Sequence, residues 1–112
     1  MKNIVAIIRM EKFDEVKEAL KQIGYPGMTK SEVEGHGQQK GVTQQFRGTR
    51  YEVEFIPKMK LEVIVADEDV RKIVDTIISK ARTGEAGDGK IFVYPVENVF
   101  RVRTGEEGKS AI

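Results

Sequence analysis

Residues 51–81, YEVEFIPKMKLEVIVADEDVRKIVDTIISKA, contain the strongest strand pattern and the strongest helix pattern of this 112-residue chain. In the first half every second residue is apolar or proline and the residues between them are mainly polar, which predicts a half-buried strand over residues 51–65. Because proline cannot donate to a sheet ladder, Pro57 predicts an edge or a bulge. In the second half apolar residues recur at spacings of three and four, which predicts an amphipathic helix over residues 70–81.

The rest of the chain supplies the other elements of a split βαβ sandwich. Apolar runs and helical spacing predict strands over residues 2–10, 28–33, 91–96 and 99–102, and a helix over residues 13–23. The order β-α-β-β-α-β predicts one α+β, ferredoxin-like domain over residues 1–112, with a short extra strand at the C-terminus. The acidic residues 67–69 stand where the second helix begins, so we expect them to cap it.

Two helices can cover only one face of such a sheet. The other face still carries isoleucine and valine, and a chain of this length has nothing left to cover them. We therefore predict that the chain forms an oligomer through this open face.

The composition excludes several classes of protein. Nineteen basic and eighteen acidic residues leave the chain near neutral, which argues against a nucleic-acid binder. The absence of cysteine excludes disulfides and thiolate metal sites. The apolar runs are too short to span a bilayer, and Arg9 and Lys12 interrupt what would be the apolar region of a signal peptide. We expect a cytoplasmic protein.

Residues 35–50, GHGQQKGVTQQFRGTR, fit neither a helix nor a strand. Structureless loops of this length are uncommon in compact domains and usually serve a function. The segment contains three cationic residues, Lys40, Arg47 and Arg50, and no acidic residue. We interpret it as a mobile cationic arm that inserts into a partner.

Residues 83–93, TGEAGDGKIFV, place a glycine-rich loop before an apolar strand. The segment nearly matches the P-loop pattern G-x-x-x-x-G-K-[ST], but Ile91 stands where that pattern needs a magnesium-binding hydroxyl. A P-loop also follows a strand and opens a helix, whereas this loop follows a helical pattern. The segment can therefore hold a phosphate without the frame of a P-loop hydrolase.

Each candidate phosphate contact has an ordinary alternative. Residues 87–90 could wrap a phosphate, because glycines turn successive N–H groups toward one anion, but composition alone favours a simple turn with a solvated lysine. Arg101 and Arg103 would share one face of the last strand and could clamp the same phosphates, although such a pair is more often solvated. His36, the single histidine, could carry a phosphoryl group or be an ordinary loop residue.

Residues 83–93 and 46–51 (FRGTRY) resemble the two signatures of the PII nitrogen-regulatory proteins, the GlnB/GlnK-type signal transducers. Length, element order and the C-terminal segment RVRTGEEG also agree, so the resemblance covers the whole chain, and it is closest in character to GlnK. It implies a homotrimer with one nucleotide site in each cleft between subunits. It also implies a T-loop at about residues 35–50, a nucleotide-binding B-loop at about 82–90 and a C-terminal loop at about 102–112.

In PII proteins ATP and ADP compete for this site, and 2-oxoglutarate binds beside MgATP. By position, the resemblance implies that ATP or ADP contacts Thr29, Gly35, Gly37, Gln38, Glu62, Gly87, Asp88, Gly89 and Lys90, together with Arg101 and Arg103 from the neighbouring subunit. It implies 2-oxoglutarate contacts from Gln39, Lys40, Gly41 and Lys58. Gln39 would also complete the Mg²⁺ shell, for which an amide oxygen is a suitable hard ligand. The Lys58 ammonium suits a ligand carboxylate.

The implied function is that of a non-enzymatic nitrogen and energy sensor acting through the T-loop. Its expected target is an ammonium transporter, contacted by Arg47, with glutamine synthetase or other nitrogen-metabolism proteins as further candidates. The protein would then be cytoplasmic with reversible peripheral association at the membrane. Tyr51 corresponds to a tyrosine that some members carry uridylylated. Two alternatives stay open: a small ferredoxin-like phosphotransferase using His36, and a trimeric interaction module that responds to no ligand.

Overall fold

The structure is a computed structural model. It describes residues 1–36 and 55–112 in full, and residues 42–46 and 49–53 by their backbone.

Two helices and six strands make up the described part of the chain, together with three single-turn 3-10 helices. The strands are β1 (Lys2–Arg9), β2 (Thr29–Gly35), β3 (Val42–Phe46), β4 (Thr49–Val53), β5 (Ile56–Val65) and β6 (Gly89–Pro95). The helices are α1 (Phe13–Gln22) and α2 (Val70–Ala81). The 3-10 turns lie at Met10–Lys12, Asp67–Asp69 and Lys109–Ala111.

Four strands form one antiparallel sheet in the order β2-β5-β1-β6. The central strand β1 places Ala6 opposite Leu61 of β5 on one side and opposite Ile91 of β6 on the other. This arrangement of strands and helices confirms the predicted α+β, ferredoxin-like fold.

The hydrophobic core lies between α1, α2 and one face of this sheet. Alternate residues of β1 and β5 supply the sheet side, and residues at helical spacing supply the other side, as the two periodicities predict. The buried core residues are Ile4, Ala6, Ile8, Phe13, Val16, Leu20, Met59, Leu61, Val63, Val65, Ile73, Ile77 and Ala81.

Pro57 lies near the start of β5, where that strand has β2 as its partner in the sheet. Pro57 pairs with Glu34, whereas the pairing of β5 with β1 begins at Lys58, opposite Arg9. At Pro57 the strand is therefore a local edge, which confirms the prediction and explains why a missing N–H is tolerated.

Two predictions about residues 35–65 are wrong. Residues 35–50 are not free of regular structure, because β3 pairs with β4 in a second, two-stranded antiparallel sheet. The predicted strand over residues 51–65 is divided, since β4 ends at Val53 and β5 begins at Ile56. Phe55 between them lies outside both ladders and is 54% exposed, instead of sharing the buried face.

The short extra strand predicted near residues 99–102 is absent from the described C-terminal segment. Phe100 makes a single antiparallel bridge with Glu107, and the chain turns between them. The Asn98 side-chain oxygen accepts hydrogen bonds from the N–H groups of Val99, at 2.8 Å, and Gly108, at 3.0 Å. This side chain thus closes a compact turn in place of a ladder, as asparagine often does.

The acidic residues 67–69 do not cap α2 with their side chains, contrary to prediction. Asp67 accepts a hydrogen bond from the N-terminal ammonium of Met1 at 2.9 Å, and Glu68 forms an ion pair with Lys109. Asp69 accepts a hydrogen bond from the Tyr25 hydroxyl. Burial, reinforced by that carboxylate, raises the pKa of Tyr25 to about 12, so the hydroxyl stays a neutral donor. The three carboxylates attach distant segments to the start of α2.

Candidate functional site

A cleft of about 490 Å³ lies where the end of β2, the start of β5 and the loop between α2 and β6 meet. The residues that line it include His36 and Phe92. It also brings together several of the residues predicted to bind nucleotide or effector, namely Gly35, Lys58, Gly87, Asp88, Gly89 and Lys90. The fold thus gathers residues that are far apart in sequence.

The Asp88 carboxylate organises the loop between α2 and β6. Its Oδ2 accepts hydrogen bonds from the backbone N–H of Thr83 at 2.9 Å and of Gly84 at 2.8 Å. Its Oδ1 accepts from the Thr83 hydroxyl and, at 3.0 Å, from Nε of Arg9. The Thr83 hydroxyl first, followed by these other donors, holds the pKa of Asp88 well below its usual range. The side chain is therefore a carboxylate that shapes the loop.

Arg9 is a residue of this site that sequence reasoning missed. It ends β1, and its side chain is only 16% exposed. Besides the contact with Asp88, its Nη2 donates to the backbone oxygen of Ala86 at 3.0 Å. Its position at the end of an apolar run gives no signal of this contact, which follows from the pairing of the preceding residue, Ile8, with Gly89 of β6.

Lys58 is the second cation that holds the loop. The residue is 8% exposed, and its Nζ donates to the backbone oxygen of Gly87. Burial lowers the pKa of the ammonium, and the nearby charge of Arg9 lowers it further. The lysine predicted to meet a ligand carboxylate thus lies in the cleft and already contacts the nucleotide-binding loop predicted beside it.

The backbone of the loop keeps N–H groups free for a ligand. The carbonyl of Ala86 is bound by Arg9 and that of Gly87 by Lys58. The peptide bonds of this loop are trans, so the N–H of Gly87 points away from the carbonyl of Ala86 that Arg9 holds. Among the described residues, the N–H groups of Ala86 and Gly87 have no intramolecular hydrogen-bond partner.

Gly89 is a glycine for a structural reason. Its φ is 109°, and a Cβ there would lie 1.8 Å from the carbonyl oxygen of Ile7. The close approach of β6 to β1 at the mouth of the cleft therefore requires this residue.

Lys90 lies in β6, one residue beyond the loop, opposite Ile7. It is exposed and lines the cleft. It forms no ion pair with any residue in the described ranges, so its ammonium is available to a ligand.

The remaining predicted nucleotide residues of the described part lie outside this cleft. Thr29 and Glu62 are directly opposite each other on β2 and β5. In the C-terminal segment, Arg101 binds Glu106 through Nη1 at 3.0 Å and the backbone oxygen of Ser110 through Nη2 at 3.1 Å. Arg103 is exposed. A single subunit therefore brings together only part of the predicted set.

Several predicted residues fall outside the described residues, so their placement stays a prediction. These are Gly37, Gln38, Gln39, Lys40, Gly41 and Arg47. For Tyr51 only the backbone is described, within β4.

The sheet face opposite the helices carries apolar residues, as the sequence predicts, although only its two aromatic residues are well exposed. The register puts Val5, Ile7 and Ile64 on this face together with Phe92 and Tyr94. Phe92 and Tyr94 stack with ring centroids 6.5 Å apart while remaining 41% and 51% exposed. We call these five residues the open face.

The described ranges contain neither a cluster of metal-binding side chains nor a helix that could cross a membrane. No group of three or more histidine, aspartate or glutamate side chains there could hold a metal ion. No helix in the same part of the chain is both long and apolar enough to cross a membrane.

Comparison with known proteins matches the family model for nitrogen regulatory protein P-II over residues 1–106. A nitrogen regulatory protein P-II of Nostoc punctiforme is 56% identical over 112 residues, which is the whole of both chains. Nitrogen regulatory protein P-II 1 of Escherichia coli is 54% identical over the full length of both chains. Nitrogen regulatory protein P-II 2 of Methanothermobacter thermautotrophicus is 54% identical over all of this chain and 97% of its own. These relatives are named for regulation and not for a catalysed reaction. The chain therefore belongs to the P-II family of nitrogen regulatory proteins and acts in nitrogen signal transduction as a regulator, not as an enzyme.

Proposed function

We propose that this protein senses nitrogen and energy status by binding ATP or ADP in the cleft and 2-oxoglutarate beside it. The observation that carries the proposal is the loop of residues 83–89. Arg9 and Lys58 hold its carbonyls, the N–H groups of Ala86 and Gly87 remain free, and Lys90 stands beside them. Free backbone N–H groups and an unpaired ammonium together suit a phosphate chain.

The residues of the cleft are suited to hold the phosphates of a nucleotide but not to hydrolyse them. Gly87, Gly89 and Lys90 would hold phosphate oxygens. The Asp88 carboxylate is bound to Thr83, Gly84 and Arg9, so it is not placed to activate a water molecule as a base. The bound nucleotide would act as a signal whose charge and metal ion differ between ATP and ADP.

The rest of the nucleotide site would come from a second subunit in a homotrimer. On the open face of one chain Phe92 and Tyr94 are exposed beside partly exposed isoleucines, and exposed apolar side chains of this kind often mark association. Association through it would carry Arg101 and Arg103 of one subunit to the cleft of the next. Thr29 and Glu62, on the same sheet face, would approach the adenine.

2-Oxoglutarate would bind between the loop and the base of the T-loop. Lys58 would bind a carboxylate of this effector, with Gln39, Lys40 and Gly41 completing the site and Gln39 serving as a ligand of Mg²⁺. Since Lys58 also holds the carbonyl of Gly87, binding of the effector would alter the loop that holds the phosphates. A ligand can shift the T-loop only through such a difference in contacts between two states.

The T-loop, in the conformation set by the bound ligands, would bind a target. We propose that this target is an ammonium transporter and that Arg47 contacts it. The protein would then be cytoplasmic and associate reversibly with the membrane through the transporter. Glutamine synthetase or other nitrogen-metabolism proteins are further candidate targets.

Sedimentation with membranes that contain an ammonium transporter tests this function. We expect the wild type to be retained in ADP and released by MgATP with 2-oxoglutarate. Arg47→Ala should reduce retention at least about tenfold, because a desolvated arginine at an interface carries a large share of the binding energy. Lys72→Ala, on the exposed side of α2, is the matched control and should be retained as the wild type is.

Two results would contradict the proposal. Equal retention of the wild type in ADP and in MgATP with 2-oxoglutarate would identify an interaction module that responds to no ligand. Retention of Arg47→Ala equal to that of the control would place the contact outside the T-loop.

A further inference from the structure

In the C-terminal segment, Arg101 is one of the two arginines predicted to bind phosphate, and it is already bound to other residues of the same segment. Nη1 of Arg101 binds Oε1 of Glu106 at 3.0 Å, and Nη2 binds the backbone oxygen of Ser110 at 3.1 Å. The backbone around it is also closed, since Arg101 N–H donates to Glu106 O at 2.8 Å and Gly105 N–H donates to Arg101 O at 2.7 Å. The guanidinium therefore has an anionic partner before any ligand arrives.

Arg103, two residues further on, differs from Arg101. It is exposed and makes no ion pair with any residue of the described part of the chain. The two arginines that would reach one phosphate chain thus start from different states, one engaged and one available.

We infer that Glu106 competes with bound phosphate for Arg101 and thereby sets the nucleotide affinity of the neighbouring cleft. The inference rests on the proposed nucleotide binding and adds a residue that tunes it. Both partners present the same chemistry to the guanidinium, because carboxylate and phosphate each accept two parallel N–H bonds. Arg101 cannot satisfy both with the same edge, so one contact replaces the other.

The segment is built so that this exchange needs little rearrangement. Lys109 is bound to Glu68, and Ala111 is buried, so the end of the chain is attached to the body of the domain independently of Arg101. The Arg101 and Glu106 side chains are 33% and 46% exposed, so the ion pair is partly hydrated and weak. The Arg101–Glu106 ion pair can therefore lower the affinity for nucleotide without preventing its binding.

Calorimetric titration of the full-length protein with ATP and with inorganic triphosphate tests the inference. Glu106→Gln keeps the size of the side chain and removes its charge. We expect it to bind both ligands about two- to five-fold more tightly than the wild type at low salt, which corresponds to the strength of one exposed ion pair. The gain should shrink at high salt, where such pairs are screened.

Two control variants separate a specific exchange from a general charge effect. Glu107→Gln removes the same charge from the next residue, which contacts Asn98 and not Arg101, and should bind as the wild type does. In an Arg101→Ala background, Glu106→Gln should bring no gain, because the arginine that it releases is missing.

Four results would overturn the inference. Equal affinity of Glu106→Gln and wild type would mean that the ion pair does not compete with the ligand. Equal gains in Glu106→Gln and Glu107→Gln, or a gain that persists without Arg101, would mean that net charge alone acts. Binding of neither ligand by the wild type would overturn the proposed function itself, and the inference with it.

Discussion

Replacing Gly89 with alanine is expected to lower the midpoint of thermal unfolding by more than about 10 °C. The new Cβ would lie 1.8 Å from the carbonyl oxygen of Ile7, at a residue whose φ is 109°. Backbone atoms of the central strand cannot move aside as a flexible side chain can. We expect a loss of about 3 kcal/mol or more in the free energy of unfolding, made of positive-φ strain and of displaced pairing between β1 and β6.

Two other glycines separate the contributions to this effect. Gly84 has a φ of 92° with nothing near its Cβ position, so Gly84→Ala should cost only the conformational strain, about 1 kcal/mol. Gly27 has neither feature, and Gly27→Ala should leave stability nearly unchanged or slightly higher. The midpoints should be compared by calorimetry at one protein concentration, because association makes them depend on concentration. A Gly89→Ala protein that unfolds at the temperature of Gly27→Ala would contradict this account of the β1–β6 contact.

Replacing Asp88 with asparagine is expected to weaken ATP binding about tenfold, although no direct contact between this side chain and the phosphates is required. The carboxylate holds Thr83, Gly84 and Arg9 at once, and a neutral amide with one oxygen cannot replace all of these bonds. The loop would then lose order that the unliganded protein already has, and binding would have to restore it. Titration calorimetry with ATP measures the change.

Acid unfolding gives a second measurement of the same carboxylate. Its pKa lies below the ordinary value in the folded protein, so the ionised form stabilises the fold at pH values above about 4. This contribution is lost as the pH falls below the unfolded value toward the folded one. We expect the wild type to unfold at a higher temperature than Asp88→Asn at neutral pH, and the difference to narrow below pH 4.

Asp75→Asn provides the control for this titration. Asp75 lies in α2 in an exposed ion pair with Arg71, 3.2 Å between Nε and Oδ1. Such pairs contribute little, so this variant should follow the wild type across the pH range. A difference between wild type and Asp88→Asn that stays constant down to pH 2 would contradict the assignment of this carboxylate as the organiser of the loop.

The fold was predictable because two long segments carry clear periodicities. The alternation in β5 and the helical spacing in α2 identify their buried faces, and both are confirmed by the burial of residues such as Leu61 and Ile77. The C-terminal segment shows why the same reasoning fails there. Val99, Phe100 and Val102 are strand-forming residues, but Asn98 and the turn at Gly105 fix a different local structure.

The sequence predicts several of the residues that line the cleft, but it does not predict the contacts that each of them makes. The glycines and Lys90 were identified from spacing, whereas the structure gives Gly89 a steric role and Asp88 a role in shaping the loop. Arg9 could not be identified, because its contact with the loop depends on β1 lying beside β6. The acidic residues before α2 illustrate the same limit, since their partners are distant in sequence and no local rule names them.

Nucleotide sensing requires that the cleft bind phosphates through the loop of residues 83–89 and Lys90, and this claim can be tested by itself. The test is a calorimetric titration of ATP into the wild type and into Lys90→Ala. Lys72→Ala serves as the control for the loss of one lysine. We predict saturable binding by the wild type and the control, with dissociation constants between micromolar and low millimolar. We predict affinity at least about tenfold weaker for Lys90→Ala, because a charged contact to phosphate is lost. No saturable binding by the wild type in the low millimolar range, or equal affinity of Lys90→Ala and the control, would contradict the claim.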